Sequence, residues 1–321
     1  MNTNPAAGVI GVGTMGQHHA RVYEELPQVT LAGVADSDAT RGRSIANQYG
    51  TVYRSRGELL ETVDIVSIAA PTRYHDQLAS EAIDHGVDVL VEKPFVSDLA
   101  AGRKLRERAR EADVTLQVGH VERFNPAVQA LEDIVSELDL IAITTRRLGP
   151  PVDRDTADSV VRDLMIHDID VVLSQVGRDI TNITATSPPD QDYVTASLEL
   201  EGGVVATLTA SRVTQEKVRE LAFTADDCRV NVDYASQSIQ VHRHSLPEYY
   251  EDEDGLRYRH ESIIERPTIE NGEPLKAELT AFLEAAAGER DPVVTAEDGI
   301  RALEIARRIE RAAGIDDPLP A

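Results

Sequence analysis

Lysine and cysteine are both scarce in this 321-residue chain. Of its 32 lysines and arginines only four are lysines, namely Lys93, Lys104, Lys217 and Lys276. Lysine is a compact charge that responds to burial, unlike arginine, so a lysine kept just past an apolar strand is a candidate for chemistry. Cys228 is the only cysteine, which excludes an intramolecular disulfide and any multi-cysteine zinc or iron–sulfur site.

Long apolar runs and a basic leader are also missing. No stretch approaches the roughly 18 apolar residues of a membrane span. The first residues, Met-Asn-Thr-Asn-Pro, carry no basic region followed by a signal-length apolar run. We therefore expect a soluble, cytoplasmic protein.

Positive charge is in deficit. The chain has 56 acidic against 32 basic residues and a formal net charge of −24. Such a surface repels nucleic acids and anionic membranes, so neither is expected as a partner. An acidic surplus with few lysines is also typical of a halophilic protein, whose self-repulsion is screened at high salt. An ordinary acidic cytoplasmic enzyme is the alternative.

The length favours two domains, and the sequence pattern changes near residue 121. Up to that point short apolar runs alternate with helix-like segments, and Asp98 is placed to cap one of those helices. This alternation predicts a doubly wound α/β domain over residues 1–121, in which helices cover both faces of a parallel sheet.

Residues 122–321 are predicted to form the second domain. From residue 179 onward, short strands are separated by turn residues, a spacing that favours an antiparallel meander. Residues 247–274 are highly charged, and we expect a loop with an edge strand there. The last two helices can pack back on the first domain. The predicted helices are 127–138, 158–176, 275–287 and 296–313.

A glycine-rich turn, Gly11-Val-Gly13-Thr14-Met15-Gly16, follows the first predicted strand and opens a helix. Glycines at this spacing permit a tight turn and close backbone approach to a pyrophosphate, while the helix N-terminus supplies N–H donors. The motif alone is weak, but its strand–turn–helix context is met. It therefore predicts a dinucleotide site, with an ordinary loop as the alternative.

Asp36 lies twenty residues after Gly16, at the end of the second predicted strand. That spacing suits an acid that binds the ribose 2′-OH of a dinucleotide. Its charge would repel a 2′-phosphate, so NAD is favoured over NADP. Arg41 and Arg43 argue the other way, because a nearby arginine can accept that phosphate. A helix cap is the alternative role for Asp36.

Polar residues follow three further predicted strands. They are Pro71-Thr72 with His75 one turn later, Glu92-Lys93, and His120. In an open parallel sheet all of these lie at the carboxyl edge, where ligands bind. His75 is interpreted either as a cofactor contact or as a histidine on a helix surface.

The predicted helix of the second domain carries Asp163 and His167, four residues apart and hence on one face of an α-helix. A histidine beside a carboxylate is a natural proton acceptor near neutral pH. A surface ion pair or a histidine satisfied in the core is the alternative. No third ligand stands out by spacing, so no metal site is expected.

Together these motifs resemble the Gfo/Idh/MocA oxidoreductases. The motifs are Gly-x-Gly-x-x-Gly, Pro71-Thr-x-x-His75, Glu92-Lys93-Pro94 and Asp163-x-x-x-His167, in the family's order. The resemblance implies an N-terminal Rossmann domain and a C-terminal α+β domain with an open antiparallel sheet. It also implies hydride transfer between a nicotinamide cofactor and a sugar or related alcohol, and dimers or tetramers formed through the C-terminal sheet.

A narrower resemblance is to UDP-N-acetylglucosamine 3-dehydrogenases. It rests on the segments around His120 to Pro126, Arg147 to Pro150 and Asp163 to Asp170. It implies that Lys93, His167 and Asp163 are catalytic, with the choice between Lys93 and His167 as the formal base left open. The implied cofactor contacts are Gly11, Gly13, Thr14, Met15, Gly16, Asp36, Pro71, Thr72, His75, Glu92 and Lys93. The implied substrate contacts are His120, Arg123, Asn125, Arg147, Arg154, Asp163 and His167, with the arginines as candidates for a diphosphate.

Three other functions stay open. The same fold can act on a free polyol or sugar, as in inositol or glucose dehydrogenases. A non-catalytic NAD-binding regulator would be expected to lose the lysine or the histidine, and both are present. A relative that reduces imines or linear tetrapyrroles would not need the Asp163–His167 pair.

Overall fold

A computed structural model describes residues 4–151, 158–189, 191–244, 248–252, 255–259 and 261–315. The chain divides into two compact units. Unit 1 comprises Met1–Phe124 and Glu273–Glu304, and unit 2 comprises Asn125–Gly272 and Ile305–Ala321. Unit 1 is therefore built from two separate stretches of chain.

Unit 1 alternates strands with helices. In chain order they are β1 (Ala6–Ile10), α1 (Thr14–Glu25), β2 (Thr30–Ala35), α2 (Ala39–Gln48), α3 (Arg56–Leu60), β3 (Ile65–Ile68), α4 (His75–Asp84), β4 (Asp88–Glu92), α5 (Leu99–Glu111) and β5 (Leu116–Gly119). The five strands are parallel in the order β2-β1-β3-β4-β5. This confirms the predicted doubly wound sheet. The cap predicted at Asp98 is also confirmed, because its carboxylate accepts the N–H groups of Ala100 and Ala101 at 2.9 and 3.2 Å.

Unit 2 begins with two short helices, α6 (Pro126–Gln129) and α7 (Leu131–Val135), in place of the single helix predicted over 127–138. A strand, β6 (Leu140–Leu148), follows. The helix predicted over 158–176 is also divided, into a π-helical turn, Val161–Met165, and α8 (Ile166–Val176). π-helical turns are rare and have no distinct sequence pattern, which is why helical periodicity did not predict this one.

The remaining strands of unit 2 are β7 (Ile180–Thr186), β8 (Tyr193–Leu200), β9 (Val205–Ser211), β10 (Val218–Ala225), β11 (Cys228–Asp233), β12 (Ser238–His244), β13 (Glu248–Asp252), β14 (Gly255–Arg259) and β15 (Ser262–Glu265). The region predicted as a loop with an edge strand thus holds the hairpin β13–β14 and the edge strand β15. Two helices complete the chain, α9 (Pro274–Ala286) and α10 (Ala296–Ala312).

The large sheet of unit 2 has the order β15-β12-β11-β10-β6-β9-β8-β7 among the described residues. Its neighbours are antiparallel except β6 and β9, which are parallel. The sheet is therefore mostly antiparallel, as the sequence predicted, but it contains one parallel pair that was not predicted. The reason is the crossover through α8, which returns the chain so that β7 starts from the same end as β6. Two hairpin reversals later, β9 runs in the direction of β6.

The core of unit 1 has one layer on each face of its sheet. On one face Tyr23 of α1 packs with Leu279 and Phe282 of α9, and all three are buried. On the other face Leu78 of α4 and Leu105 of α5 pack against the strands. Because both faces are covered, the strands have continuous apolar runs.

Candidate active site

The glycine turn between β1 and α1 has a backbone that only glycine accommodates at two positions. Gly11 has φ +86°, and a Cβ there would lie 2.7 Å from the backbone nitrogen of Ala70. A Cβ on Gly16 would lie 1.8 Å from the carbonyl oxygen of Gly11. Gly13, by contrast, faces open space, and no side chain caps the helix that begins at Thr14. The turn therefore offers a bare backbone and free N–H groups of a helix N-terminus, which fits a dinucleotide pyrophosphate.

The carboxylate of Asp36, directly after β2, is held by four donors. It accepts hydrogen bonds from the N–H groups of Val12 and Asp38, both at 2.8 Å. Arg41 adds Nη2 at 2.7 Å and Nε at 3.1 Å. Burial raises the pKa of this carboxyl, but the hydrogen bonds from Arg41 and the two amides outweigh that effect and lower the pKa. Asp36 is thus an anion fixed beside the glycine turn.

The segment after β3 contains Pro71 and a 3-10 turn that begins at Thr72. His75, at the start of α4, is buried, with 1% exposure, so the interpretation as a surface histidine is wrong. Its Nδ1 lies 2.9 Å from the carbonyl oxygen of Pro94, and its Nε2 lies 2.7 Å from that of Ala70. The ring therefore joins the chain after β3 to the chain after β4.

Glu92 and Lys93 end β4. The Glu92 side chain is buried, with Oε1 2.9 Å from Nε2 of His19 and Oε2 accepting the N–H of Lys93 at 3.1 Å. Burial raises the pKa of the Glu92 carboxyl, but the hydrogen bond to His19 and the charges of His19 and Lys93 outweigh it, so the pKa is lowered. Glu92 is anionic and holds the main chain at Lys93, which is half-buried.

The sequence interpretation missed His19. It lies on α1 with 0% exposure, on the same helical face as Gly16, Ala20 and Tyr23. A histidine at helical spacing within an otherwise apolar or small-residue stripe was the available signal, because a buried imidazole requires a polar partner.

Two predicted residues follow β5. His120 is buried, with 1% exposure. Arg123 lies in a 3-10 turn, and its Nη2 is 3.5 Å from Oδ1 of Asp298. The Arg123 side chain is 14% exposed.

Asn125 has a structural position. Its Oδ1 accepts the N–H of Ala127 at 3.1 Å and so caps α6, and its Nδ2 donates to the carbonyl oxygen of Tyr234 at 3.1 Å. The side chain is buried, and these contacts join α6 to the chain that follows β11. Helix capping accounts for Asn125 without a substrate.

Within unit 1 the predicted cofactor residues follow the carboxyl ends of adjacent strands. The glycine turn follows β1, Asp36 follows β2, Pro71 follows β3 and Lys93 follows β4, and these four strands are neighbours. The sheet therefore brings them to one edge, where ligands bind in open α/β sheets.

In unit 2, Asp163 lies in the π-helical turn Val161–Met165, while the half-buried His167 lies in α8. The two residues thus lie in one continuous helical stretch, but its first turn is π-helical, whereas the sequence predicted an α-helix throughout. Asp163 accepts a hydrogen bond from Nη2 of Arg212 at 3.0 Å. The same nitrogen donates to the carbonyl oxygen of Ser159 at 3.3 Å. Arg212 thus holds the start of the turn, and sequence reasoning missed it.

Arg147, predicted to bind a diphosphate, is 4% exposed in a buried ion pair. Its Nε and Nη2 each donate to Asp168 of α8 at 2.9 Å, and its guanidinium lies 5.1 Å from the ring centre of Tyr234. This arrangement joins β6 to α8, so Arg147 is structural and its predicted substrate role is corrected. Arg154 lies outside the described residues.

Two negative findings apply to the described part of the chain. No group of three or more histidine, cysteine, aspartate or glutamate side chains is arranged to hold a metal ion. No described helix is both long and apolar enough to span a membrane.

Two family models match the chain. The first, an oxidoreductase family with an NAD-binding Rossmann fold, covers residues 6–120, and the GFO/IDH/MocA C-terminal domain covers residues 141–233. The match to the first model confirms the predicted NAD-binding Rossmann domain.

Several characterised proteins are similar over nearly their whole length. A UDP-N-acetylglucosamine 3-dehydrogenase of Acidithiobacillus ferrooxidans is 32% identical over 95% of this chain and 96% of its own. Its solved structure superposes with a TM-score of 0.85, covering 97% of this chain and 98% of the other. An inositol 2-dehydrogenase of Rhizobium meliloti is 25% identical over 93% of this chain and 94% of its own. The structure of a scyllo-inositol dehydrogenase from Lactobacillus casei with bound NAD(H) and scyllo-inositol shares the fold, with 20% identity, a TM-score of 0.80 and 97% of each chain covered.

Proposed function

The chain belongs to the Gfo/Idh/MocA oxidoreductase family, and from that membership we propose that it uses NAD⁺ to oxidise UDP-N-acetylglucosamine to its 3-keto form. The observation that carries the substrate is the 32% identity to a UDP-N-acetylglucosamine 3-dehydrogenase over 95% of the chain. The proposal that Lys93 is catalytic is supported by its position, since a buried carboxylate fixes its main chain at the cofactor edge of the sheet.

The proposed reaction breaks the C3–H bond with hydride transfer and removes the hydroxyl proton, leaving a ketone. When bound, the nicotinamide supplies the hydride acceptor. His167 takes the hydroxyl proton, because imidazole accepts protons near neutral pH. Lys93 donates a hydrogen bond to the same oxygen and stabilises its developing charge. Asp163 orients the substrate or the imidazole.

The dianionic diphosphate of such a substrate needs local positive charge, because the chain as a whole carries a formal charge of −24. Of the predicted arginines, Arg123 and Arg154 remain as proposed diphosphate ligands, whereas Arg147 is committed to Asp168. A bidentate guanidinium suits phosphate oxygens. We retain His120 as a proposed substrate contact.

We also propose that the protein is a cytoplasmic homodimer or homotetramer formed through the outer face of the unit 2 sheet. The outer face is the one that carries Arg146 and Glu220, and most of the side chains that line its hollow are polar or charged. Arg146 and Glu220 pair across β6 and β10 at 3.2 Å on the rim of a hollow of about 330 Å³. Sedimentation of the wild type and of Glu220→Arg tests this assembly, because the variant places like charges side by side on this face; a wild type that sediments as a monomer contradicts the proposal.

The function is tested by incubating the protein with NAD⁺ and a panel of sugars while NADH absorbance is followed. The panel contains UDP-N-acetylglucosamine, UDP-glucose, free N-acetylglucosamine, glucose and myo-inositol. A ketone-trapping amine is included, because the oxidation can lie toward substrate. The proposal requires that UDP-N-acetylglucosamine is oxidised fastest and that removal of UDP abolishes turnover.

Oxidation of a free polyol is the second candidate, because inositol dehydrogenases are 25–29% identical to this chain over 64–93% of its length. UDP alone separates the two. Under the first proposal UDP binds the folded state, and at 100 times its Kd it stabilises the protein by about 2.7 kcal/mol. Under the second, UDP leaves the melting temperature unchanged and myo-inositol raises it.

A further inference from the structure

Two buried histidines contact the residues on either side of Lys93. His19 of α1 contacts Glu92 at 2.9 Å, and Glu92 accepts the N–H of Lys93 at 3.1 Å. His75 of α4 contacts the carbonyl oxygens of Pro94 and Phe95 at 2.9 and 3.3 Å. The exposures of His19 and His75 are 0% and 1%, so neither side chain is at the protein surface.

The contact between His19 and Glu92 affects the position of the main chain at Lys93. One carboxylate oxygen of Glu92 faces His19 and the other receives the amide of Lys93, so the orientation of the carboxylate is transmitted to the next residue. Gly119 on the neighbouring strand leaves room for the carboxylate, because a Cβ there would lie 3.2 Å from Cδ of Glu92.

Stability alone does not explain this pair. Replacing a buried ionic pair by apolar side chains of similar volume is often neutral or stabilising, because the desolvation cost offsets the attraction. The rest of this layer is largely apolar and includes Ala20, Leu90 and Leu279. A polar pair at this place, with its second oxygen on the amide of Lys93, therefore points to a requirement for orientation.

We propose that His19 is a positioning residue for the reaction, which acts through Glu92 to fix the main chain at Lys93 and so aims the Lys93 ammonium at the substrate oxygen. This inference rests on the proposed function, in which Lys93 is catalytic. His19 itself touches neither substrate nor cofactor in this proposal. His75 restrains the following residues, so loss of His19 releases Lys93 more than the segment after it.

The test compares three variants. His19→Ala removes the contact, and His19→Gln keeps a terminal N–H donor for Glu92. His18→Ala is the matched control, because His18 is the adjacent histidine of α1 and is exposed. Misplacement of a catalytic group by about 1 Å can reduce the rate about 100-fold, so we expect a loss of that order in kcat for His19→Ala. We expect His19→Gln to recover most of this loss and His18→Ala to match the wild type.

A second measurement does not require turnover. Acetic anhydride labels lysines in proportion to their reactivity, and the rate at Lys93 is divided by that at exposed Lys104. We expect this ratio to change in His19→Ala, to return toward wild type in His19→Gln and to stay unchanged in His18→Ala. The labelling is carried out at a temperature at which circular dichroism shows that all variants are folded.

An unchanged ratio in folded His19→Ala would overturn the positioning role, as would a loss of kcat that His19→Gln does not relieve. A wild type that oxidises none of the sugars would refute the proposed function, and the labelling ratio would still decide whether His19 positions Lys93.

Discussion

Replacement of Asp36 by serine is expected to convert the proposed NAD preference of this protein into acceptance of NADP. The four donors around the Asp36 carboxylate occupy about as many lone-pair sites as a carboxylate offers. A ribose hydroxyl must displace one of them. Arg41 is the donor that can move, because its side chain is 47% exposed while the other two donors are backbone amides.

The magnitude follows from the hydrogen bonds involved. A hydrogen bond to a charged group contributes about 1.5–3 kcal/mol, so loss of the Asp36 contact should weaken NAD⁺ binding about 10-fold to 150-fold. The same change frees the Arg41 guanidinium for a 2′-phosphate and removes a repelling charge. A gain of about 10-fold or more for NADP⁺ then shifts the ratio of the two Kd values by at least about 100-fold.

The assay is titration of both cofactors into four proteins: wild type, Asp36→Ser, Arg41→Ala and the double variant. Arg41→Ala alone should bind NAD⁺ as well as wild type or better, because a competitor for the carboxylate is gone. The double variant should bind both cofactors weakly. An unchanged ratio in Asp36→Ser would refute the assigned role of Asp36. NADP⁺ binding by the double variant as tight as by Asp36→Ser would refute the assigned role of Arg41.

The contribution of Asp36 to the stability of the protein is expected to depend on pH. The pKa of its carboxyl is lowered in the folded protein. Its contribution to stability is therefore fully present above the unfolded value, about pH 4, and is lost as the pH falls through the lower folded value. Asp36→Asn should remove this part of the decrease in melting temperature at low pH. If the melting temperatures of the variant and the wild type depend on pH in the same way, Asp36 does not have the lowered pKa.

Four further outcomes are expected. Lys93→Ala and His167→Ala should each lower kcat about 100-fold or more while NAD⁺ affinity measured by titration stays near wild type, and near-normal kcat in either would remove that residue from the mechanism. Gly16→Ala places a Cβ 1.8 Å from a carbonyl oxygen, so it should destabilise unit 1 by about 1–3 kcal/mol in denaturant titration and abolish cofactor binding. Arg212→Ala should lower kcat at a temperature where the variant stays folded, because it frees the start of the π-helical turn. A lower melting temperature with unchanged kcat would refute this. If the chain is halophilic, its melting temperature should rise between low and molar KCl, and a flat response would favour an ordinary acidic enzyme.

Much of unit 1 could be predicted from sequence because its signals are local. Apolar runs marked β1 to β5, and the glycine turn, Asp36 and Lys93 each follow one of them directly. Their common position at one sheet edge then follows from parallel topology. No long-range contact had to be known.

The predictions that failed depended on distant partners. Arg147 pairs with Asp168, 21 residues away, and the spacing of arginines does not distinguish such a pair from a phosphate ligand. His19 and Glu92 are 73 residues apart, so a histidine in the α1 stripe gave no sign of its partner. The parallel pairing of β6 with β9 likewise results from the path of the chain through α8.

The division of unit 1 between two stretches of chain has a consequence for biosynthesis. The face of its sheet that carries Leu90 is covered by Leu279 and Phe282 of α9, which the ribosome adds only after all of unit 2 between residues 125 and 272. Until then the nascent cofactor unit exposes apolar surface, a state prone to association. A chain that stops after residue 124 should therefore aggregate, and a separately added α9 peptide should restore its solubility.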